Sequence, residues 1–219
     1  MISVVLLMGG KGSRMNLDIN KVLLPLGKKK VYQYPLDVFL NNNCEVVCVV
    51  SKDDYSILEN ELPKNVKITL GGDTRAKSVY NGLKCCSGDY VLIHDAARAL
   101  ISDEVIKNII KMSNKNEAIL TYTPVKDTIK IFENDKLTTL DRNRLIASAT
   151  PQCAPFKIML DSYEKSIKDN YTSTDDISLI EKYHSEVKIN LIDGYDTSFK
   201  ITTPIDYKLA RLIVEELDV

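Results

Sequence analysis

The sequence predicts an α/β fold in which helices cover both faces of a mostly parallel, Rossmann-like sheet. Near-continuous apolar runs of strand length recur through the first half of the chain, which is typical of strands buried on both faces. Longer segments with helical spacing separate these runs, as parallel strands require. The 219 residues suit one sizeable domain with an additional excursion, so we interpret residues 1–219 as a single domain.

The predicted strands and helices alternate along the chain. The strands are Ser3 to Met8, Val46 to Ser51, Val66 to Leu70, Tyr90 to His94 and Ala118 to Pro124. The helices between them are Tyr32 to Asn41, Ala76 to Cys85 and Ser102 to Met112. Start signals indicate two later helices: Thr174-Asp175-Asp176 precedes an apolar run, and Pro204 begins a last helix that ends at Glu216.

The segment from about 125 to 145 breaks this alternation. Residues 128–132 and 137–140 have the composition of strands, and the polar turn 133–136 joins them into a hairpin. A lone two-stranded hairpin is marginally stable in water. We therefore expect it to protrude as an arm and to pack against a second copy of the chain.

Composition restricts the classes of function and location. The 29 basic and 30 acidic residues give a net charge of -1, so no global positive field would gather nucleic acid. The five cysteines form no C-x-x-C pair and are odd in number, so we expect a reducing cytoplasm rather than a disulfide framework. No stretch approaches the roughly 20 apolar residues of a membrane-spanning helix. We expect a soluble protein without a membrane partner.

The first strand runs into a glycine-rich segment that indicates phosphate binding. Gly9, Gly10 and Gly12 allow backbone N–H groups to approach a phosphate closely. Arg14 and Lys21 then supply positive charge where a triphosphate would lie. The pattern is neither a Walker loop nor a full dinucleotide fingerprint. A plain strand-to-helix turn with two surface cations is the alternative.

The motif His94-Asp95-Ala96-Ala97-Arg98 ends another apolar strand. Ligands of open parallel sheets bind beyond the carboxyl ends of strands, so Asp95 is placed to hold a divalent cation. Mg²⁺ there would neutralise charge on a transferred phosphate. The alternative is that Asp95 caps a helix and pairs with Arg98. His94 itself is expected to be a structural residue.

Two weaker sets of polar residues complete the candidates. A Gly-Gly turn with Asp73 and Ser78 follows the strand that ends at Leu70 and is able to contact the edge of a base, although a capped helix start explains it equally well. The second set is Thr128, Arg142, Thr150 and Lys200. Sequence spacing alone cannot bring this second set together.

Taken together and in this order, the motifs resemble the 2-C-methyl-D-erythritol 4-phosphate cytidylyltransferase family. They are Gly-Gly-x-Gly-Ser-Arg-Met with Lys21, Gly-Gly-Asp-x-Arg-x-x-Ser-Val, His-Asp-Ala-Ala-Arg, Asp-x-x-Lys, Asp-Arg-Asn, Thr-Pro-Gln, Thr-Asp-Asp and Lys-Ile-Thr. The resemblance runs from about Ser3 to Leu212. It implies an enzyme of isoprenoid biosynthesis that uses Mg²⁺ to convert CTP and the acceptor phosphate to CDP-methylerythritol and diphosphate.

The resemblance also implies a role for each matching residue. The catalytic residues would be Arg14, Lys21, Arg142 and Lys200, and Asp95 would bind the metal. The nucleotide would be contacted by Leu7, Met8, Gly9, Gly10, Gly12, Gly72, Asp73, Ser78 and Ala96. The acceptor would be contacted by Asp95, Arg98, Thr128, Arg142, Thr150 and Lys200. In this family the hairpin reaches the other subunit, so Thr128 and Arg142 would act in trans within a homodimer.

Four positions depart from the family pattern. Met8-Gly9 stands where small residues are usual, and Ala99 replaces a proline. Asn20 stands where a proline commonly precedes the loop lysine, which we expect to leave the loop less rigid. Thr197-Ser198-Phe199 replaces the usual segment with an acidic residue before Lys200, so a second acidic metal ligand would have to come from Asp196.

Two alternatives stay open from the sequence. Ribitol-5-phosphate cytidylyltransferase has the same fold and most of the motifs, and Met8-Gly9-Gly10 partly matches its loop. Ala96-Ala97 and Gly82-Leu83 favour the methylerythritol enzyme instead. The non-enzyme alternative is a nucleotide-binding regulatory protein, and the presence of both loop cations and of the carboxylate after the strand argues against it.

Overall fold

The structure, a computed structural model, describes residues 1–10, 19–113 and 116–216. The strands in these residues are β1 (Ile2–Leu7), β2 (Pro25–Leu26), β3 (Lys29–Lys30), β4 (Glu45–Val50), β5 (Lys67–Leu70), β6 (Tyr90–Asp95), β7 (Ala118–Pro124), β8 (Lys130–Glu133), β9 (Lys136–Thr139), β10 (Ile146–Pro155) and β11 (Ile189–Asp193). The α-helices are α1 (Gln33–Asn41), α2 (Tyr55–Glu61), α3 (Arg75–Leu83), α4 (Asp103–Met112), α5 (Phe156–Lys168), α6 (Ile177–Tyr183) and α7 (Pro204–Glu216).

Seven strands form one sheet in the order β11-β7-β10-β6-β1-β4-β5. Neighbouring strands are parallel except around β10, which runs antiparallel to β6 and β7. The predicted mostly parallel sheet is therefore confirmed. β10 was not predicted, because polar residues and Pro151 interrupt its apolar pattern and its pairing with β7 shifts register between Ser148 and Gln152.

Helices cover both faces of this sheet, as predicted. Successive residues of β1 point to opposite faces. Val4 joins the core beneath α1 and α4, which includes Phe39. Val5 joins the core beneath α3, α5 and α6, which includes Leu83. The sheet is thus buried on both sides, which explains its near-continuous apolar strands.

The close packing of α3 on the sheet depends on Gly82. A methyl group at this position would lie 2.6 Å from Val5 Cγ1 and 2.8 Å from Val49 Cγ2. At the other end of the helix, the Thr74 hydroxyl accepts a hydrogen bond from the Lys77 N–H at 3.1 Å. These two features bring the first turn of α3 to the carboxyl edge of the sheet.

The predicted helix ends agree with the structure in two cases and differ in a third. Ser102 caps α4 by accepting from the Val105 N–H at 3.2 Å, and α7 has the predicted bounds. At α6 the capping carboxylate is Asp175, which accepts from the Ser178 N–H at 2.9 Å. Asp176 is instead fully buried. The elements α2, α5 and β11 were not predicted, because their apolar patterns are weaker.

The hairpin of β8 and β9 lies within the predicted range and pairs with no other described strand. Asn134 and Asp135 at its tip have φ values of 50° and 58°, which are typical of a two-residue hairpin turn. Every residue of both strands is exposed, including the cross-strand pair Phe132 and Leu137 at 66% each. The hairpin therefore stands apart from the sheet and presents apolar side chains.

The cysteines and the helices of the structure bear on the predicted absence of disulfide bonds and of a membrane span. The five cysteines are free thiols. Burial raises the pKa of Cys48 and of Cys153 to about 12, so both behave as core side chains. No described helix combines the length and the apolarity needed to cross a membrane. A cytoplasmic location stays a prediction.

Candidate active site

A cavity of about 400 Å³ lies at the carboxyl edge of the sheet. β4 and β6 flank β1 on its two sides, and this change of direction in the strand order is where open α/β sheets bind ligands. The cavity brings together segments that are distant in sequence. The predicted site residues that line it are Leu7, Met8, Gly9, Gly10, Lys21, Gly72, Asp73, Ser78, Asp95 and Lys200.

Asp95 supplies a buried carboxylate to this cavity. Its Oδ2 accepts a hydrogen bond from Lys200 Nζ at 2.7 Å. Burial raises the pKa of Asp95, but Lys200, Arg75 and Arg98 outweigh this effect and bring the pKa to about 2. The carboxylate is therefore ionised at neutral pH and is surrounded by positive charge.

His94 and Thr150 hold Asp95 from the interior. His94 has no exposed surface, and burial lowers its pKa to about 4, so the ring is neutral. Its Nδ1 lies 3.1 Å from the Thr150 hydroxyl oxygen and its Nε2 lies 3.2 Å from the Arg98 carbonyl oxygen. Thr150 accepts from the Asp95 N–H at 3.1 Å. This network is satisfied when His94 carries its proton on Nε2 and accepts from Thr150, which agrees with its predicted structural role.

Arg75 and Asp176 form an ion pair beside the cavity, and this pair was not predicted from the sequence. Arg75 donates to both oxygens of Asp176, at 2.6 and 2.8 Å, and its Nε lies 3.9 Å from Asp95 Oδ1. Burial alone would lower the pKa of Arg75, but Asp176 raises it far above its ordinary value. The Tyr163 hydroxyl also donates to Asp176. The arginine of the Gly-Gly-Asp-x-Arg motif was the available signal, because it stands at the first helical position of α3.

The segment before α7 brings Lys200 to Asp95. The Ile201 N–H donates to the Ala97 carbonyl oxygen at 2.8 Å and thereby fixes this segment to the loop after β6. Arg98 donates from Nη1 to the Ser198 carbonyl oxygen at 2.6 Å. The buried Nε of Arg98 has no partner within the described residues. In this structure Arg98 supports the Lys200 segment rather than lining the described part of the cavity.

The turn before α3 forms another wall of the cavity. The Ser78 hydroxyl accepts from the Gly72 N–H at 3.0 Å and donates to the Thr74 carbonyl oxygen at 2.9 Å. These bonds close the turn, and Gly72 and Asp73 line the cavity beside it. The backbone groups of such a turn suit contacts to a flat ligand edge.

Comparison with known proteins identifies the family of the chain. The family model for 2-C-methyl-D-erythritol 4-phosphate cytidylyltransferase matches residues 2–216. The chain belongs to this family. A relative of that name from Clostridioides difficile is 38% identical over 98% of this chain and 94% of its own length. Another from Prochlorococcus marinus is 39% identical over 94% of this chain and 96% of its own.

Solved structures extend the comparison to the fold. The structure of 4-diphosphocytidyl-2C-methyl-D-erythritol synthase from Anaerococcus prevotii has a TM-score of 0.87 at 30% identity, and the match covers 98% of this chain and 96% of that one. A Thermus thermophilus member matches at a TM-score of 0.81 and 24% identity, over 98% of this chain and 100% of that one. The chain is therefore a nucleotidyltransferase with the fold of this cytidylyltransferase family, as predicted.

The loop residues predicted from this family are only partly described. Lys21 lines the cavity and is 8% exposed. Arg14 and Gly12 lie outside the described residues. Ala96 is fully buried, and its N–H continues the strand pairing by donating to the Leu7 carbonyl oxygen at 3.0 Å. The described cavity wall is consequently Ala97 rather than the predicted Ala96.

The arm residues predicted from the cytidylyltransferase family lie apart from the cavity. Arg142 donates from Nη1 to the Lys126 carbonyl oxygen at 2.8 Å and lines a separate surface cavity at the base of the hairpin. Lys126 Nζ pairs with Asp196 Oδ1 at 2.6 Å. Within the described residues, neither Thr128, Arg142 nor Asp196 lines the central cavity. Asp196 therefore does not lie where it would act as a second acidic metal ligand beside Asp95.

Proposed function

We propose that the chain transfers the cytidylyl group of CTP to 2-C-methyl-D-erythritol 4-phosphate and releases diphosphate. The observation that carries the proposal is one ionised carboxylate, Asp95, with Lys21, Arg75 and Lys200 in a cavity at the switch point of the sheet. Such a charge arrangement suits a triphosphate. The names of the full-length relatives specify this acceptor.

Catalysis by this site consists of positioning and charge neutralisation. An acceptor phosphate oxygen attacks the α-phosphorus in line, a new O–P bond forms, and the bond to the bridging oxygen of the β-phosphate breaks. Diphosphate leaves with that electron pair. Lys21 and Lys200 stabilise the negative charge on the transferred and leaving groups. A general base is unnecessary, because a phosphate monoester is largely ionised at neutral pH.

The donor set of the cavity fits a magnesium ion shared with the nucleotide. Asp95 is ionised and offers hard carboxylate oxygens. The described residues contain no cluster of three acidic, histidine or cysteine side chains, so phosphates and water would supply the other oxygens. When bound, Mg²⁺ neutralises charge on the phosphates. We propose Asp95 as its protein ligand, with Lys200 as the second partner of that carboxylate.

A homodimer formed through the hairpin would complete the acceptor site. The exposed Phe132 and Leu137 supply apolar surface for a second copy of the chain. Thr128 and Arg142 at the base of the arm would then contact the acceptor bound by the other subunit. Gly72, Asp73 and Ser78 would contact cytosine in the same chain.

Mixing two inactive variants tests the proposal that the arm acts in trans. We expect Arg142→Ala and Lys21→Ala each to lower turnover by about 100-fold or more. A mixture that forms heterodimers should regain activity, because one of its two sites keeps both side chains. Native mass spectrometry verifies heterodimer formation, and activity that stays at the level of the separate variants contradicts action in trans.

Diphosphate release tests the function itself. The purified chain should release diphosphate from CTP and Mg²⁺ with methylerythritol phosphate as acceptor. Release with ribitol 5-phosphate alone would overturn the proposed acceptor. Absence of release with either acceptor, in a protein that still binds CTP, would favour the regulatory alternative.

A further inference from the structure

The side chain of Asn20 joins three parts of the molecule directly behind Lys21. Asn20 Nδ2 donates to the Met8 carbonyl oxygen at 2.7 Å and to Asp54 Oδ2 at 2.8 Å. Its Oδ1 accepts from the Val22 N–H at 3.3 Å. One asparagine therefore connects the end of β1, the turn after β4 and the helical turn that begins with Lys21. We call Asn20 and Asp54 the clamp.

The end of the sheet holds both groups that accept hydrogen bonds from Asn20 Nδ2. The Ser51 hydroxyl donates to Asp54 Oδ2 at 2.6 Å and accepts from the Asp54 N–H at 3.1 Å. The Met8 N–H donates to the Val49 carbonyl oxygen at 2.8 Å. Asn20 is thus fixed to two neighbouring parallel strands at the edge where the cavity lies.

Lys21 stands in a short element that is held by such contacts together with the burial of Val22 and Leu23 in the core. The turn Lys21–Leu23 is a three-residue 3-10 helix, and helices of this length have little stability of their own. Asn20 caps it through the Val22 N–H. The Lys21 side chain nevertheless lines the cavity and is largely buried. A misplacement of about 1 Å at a reaction centre can lower its rate by about 100-fold.

We propose that Asn20 is a positioning residue of the reaction and that the clamp sets the distance between the Lys21 ammonium and the triphosphate. Asn20 and Asp54 line a second cavity that adjoins the central one and shares Gly72 and Ser78 with it. Both N–H groups of the Asn20 side chain are donated within the protein, and its oxygen accepts from Val22, so we assign its effect to the placement of Lys21 rather than to a bond with the nucleotide. The bond to a carboxylate is charge-assisted, which makes the clamp stronger than a bond between neutral groups. The inference rests on the proposed function.

A double-mutant cycle between Asn20 and Lys21 tests the proposal. Asn20→Ala should lower kcat about 10- to 100-fold, as expected for a displaced catalytic cation. The double variant Asn20→Ala/Lys21→Ala should be no slower than Lys21→Ala, because the clamp has no effect once the ammonium is absent. Losses that multiply, or an Asn20→Ala enzyme as fast as the wild type, would overturn the inference.

Asn42 provides a matched control for the loss of an asparagine. Its Nδ2 also donates to a backbone carbonyl oxygen, that of Val38 at 2.8 Å, and to a carboxylate, Asp103 Oδ1 at 2.7 Å. Asn42→Ala should leave kcat within about twofold of wild type, and its small effect should multiply with that of Lys21→Ala. A loss of turnover in Asn42→Ala equal to that in Asn20→Ala would contradict a positioning role.

An exchange of the two clamp residues separates positioning from folding. Asn20→Asp places two carboxylates together and should be slower than Asn20→Ala. Asn20→Asp/Asp54→Asn restores a donor between the two side chains and should recover part of kcat. No recovery in a variant that melts like the wild type would contradict the role of Asp54. Wild-type diphosphate release, measured alongside, keeps failure of the clamp distinct from failure of the proposed function.

Discussion

Two carboxylates at opposite edges of the sheet have the same acidity for different reasons. Asp95 ends β6 and Glu45 begins the parallel strand β4, and each side chain is 13% exposed with a pKa of about 2. At Glu45, burial raises the pKa, and hydrogen bonds from Lys67, Ser3 and Ser87 more than reverse this effect. At Asp95, nearby cations reverse it chiefly through their charge.

Glu45 and Asp95 differ in how many hydrogen bonds their carboxylate oxygens accept. Glu45 accepts from the Ser3 and Ser87 hydroxyls, from the Ser87 N–H and from Lys67 Nζ, so both of its oxygens are saturated. Asp95 accepts from Lys200 on Oδ2, and its Oδ1 lies 3.9 Å from Arg75 Nε, beyond hydrogen-bond distance. A depressed pKa alone therefore does not distinguish a structural carboxylate from a ligand-binding one.

Asp95→Asn should have the largest effect on turnover and thereby distinguish Asp95 from Glu45. We expect kcat to fall by about 100- to 1000-fold, because the proposed metal ligand and the partner of Lys200 are lost together. The free energy of unfolding should fall by about 1 to 2 kcal/mol, because the pKa shift from 3.8 to about 2 corresponds to about 2 kcal/mol before screening by solvent around partly exposed Lys200. Steady-state kinetics and urea unfolding measure the two effects. A stability loss large enough to explain the lost turnover would remove the distinction.

Glu45→Gln should lower stability to a similar extent but leave kcat unchanged. The pKa of Glu45 falls from an ordinary value of 4.5 to about 2 on folding, so its contribution to stability is present above pH 4.5 and is lost as the pH falls towards 2. The full shift corresponds to about 3 kcal/mol, and solvent around half-exposed Lys67 reduces our expectation to about 2 kcal/mol.

Urea unfolding of Glu45→Gln and wild type as a function of pH measures this contribution. The two stability curves should be separated at pH 7 and converge near pH 2, with kcat unchanged at neutral pH. Parallel curves over this range would mean that the hydrogen bonds around Glu45 do not lower its pKa.

Asp103→Asn should have the smallest effect on stability and serves as the reference for an exposed carboxylate. Bonds from Lys107 and Asn42 lower the pKa of Asp103, yet its side chain is 49% exposed. Exposed pairs of this kind contribute less than about 1 kcal/mol. Thermal unfolding should show a melting temperature within about 3 °C of wild type. A larger shift would show that exposure is a poor guide to the other two carboxylates.

Local sequence signals were sufficient for much of the fold. β7 and α7 have the predicted bounds, because an apolar run and a proline start are signals within a few residues. The ion pair of Arg75 and Asp176 joins residues 101 positions apart. No local pattern specifies such a pair, so it emerges only when α3 and α6 pack on the same face.

At Asn20, the residue type alone does not determine how rigid the backbone segment is. Its replacement of a proline predicts a less rigid loop, because asparagine leaves φ unrestricted. In the structure its side chain makes three hydrogen bonds that restrict the same segment by another route. Whether a side chain compensates for lost backbone restriction depends on where Met8 and Asp54 lie, which only the folded sheet determines.

The antiparallel strand β10 supports two carboxylate residues at the candidate active site in addition to its pairing in the sheet. It leaves the base of the hairpin at Ile146, holds Asp95 through Thr150, and through the Gln152 Oε1 accepts from the Asp176 N–H at 2.9 Å. A slip of β10 by one residue would turn both side chains to the opposite face. If the hairpin forms the proposed homodimer, shortening it while preserving this register would give an engineered monomer. An inserted residue that shifts the register of β10 would instead disconnect both Thr150 from Asp95 and Gln152 from Asp176.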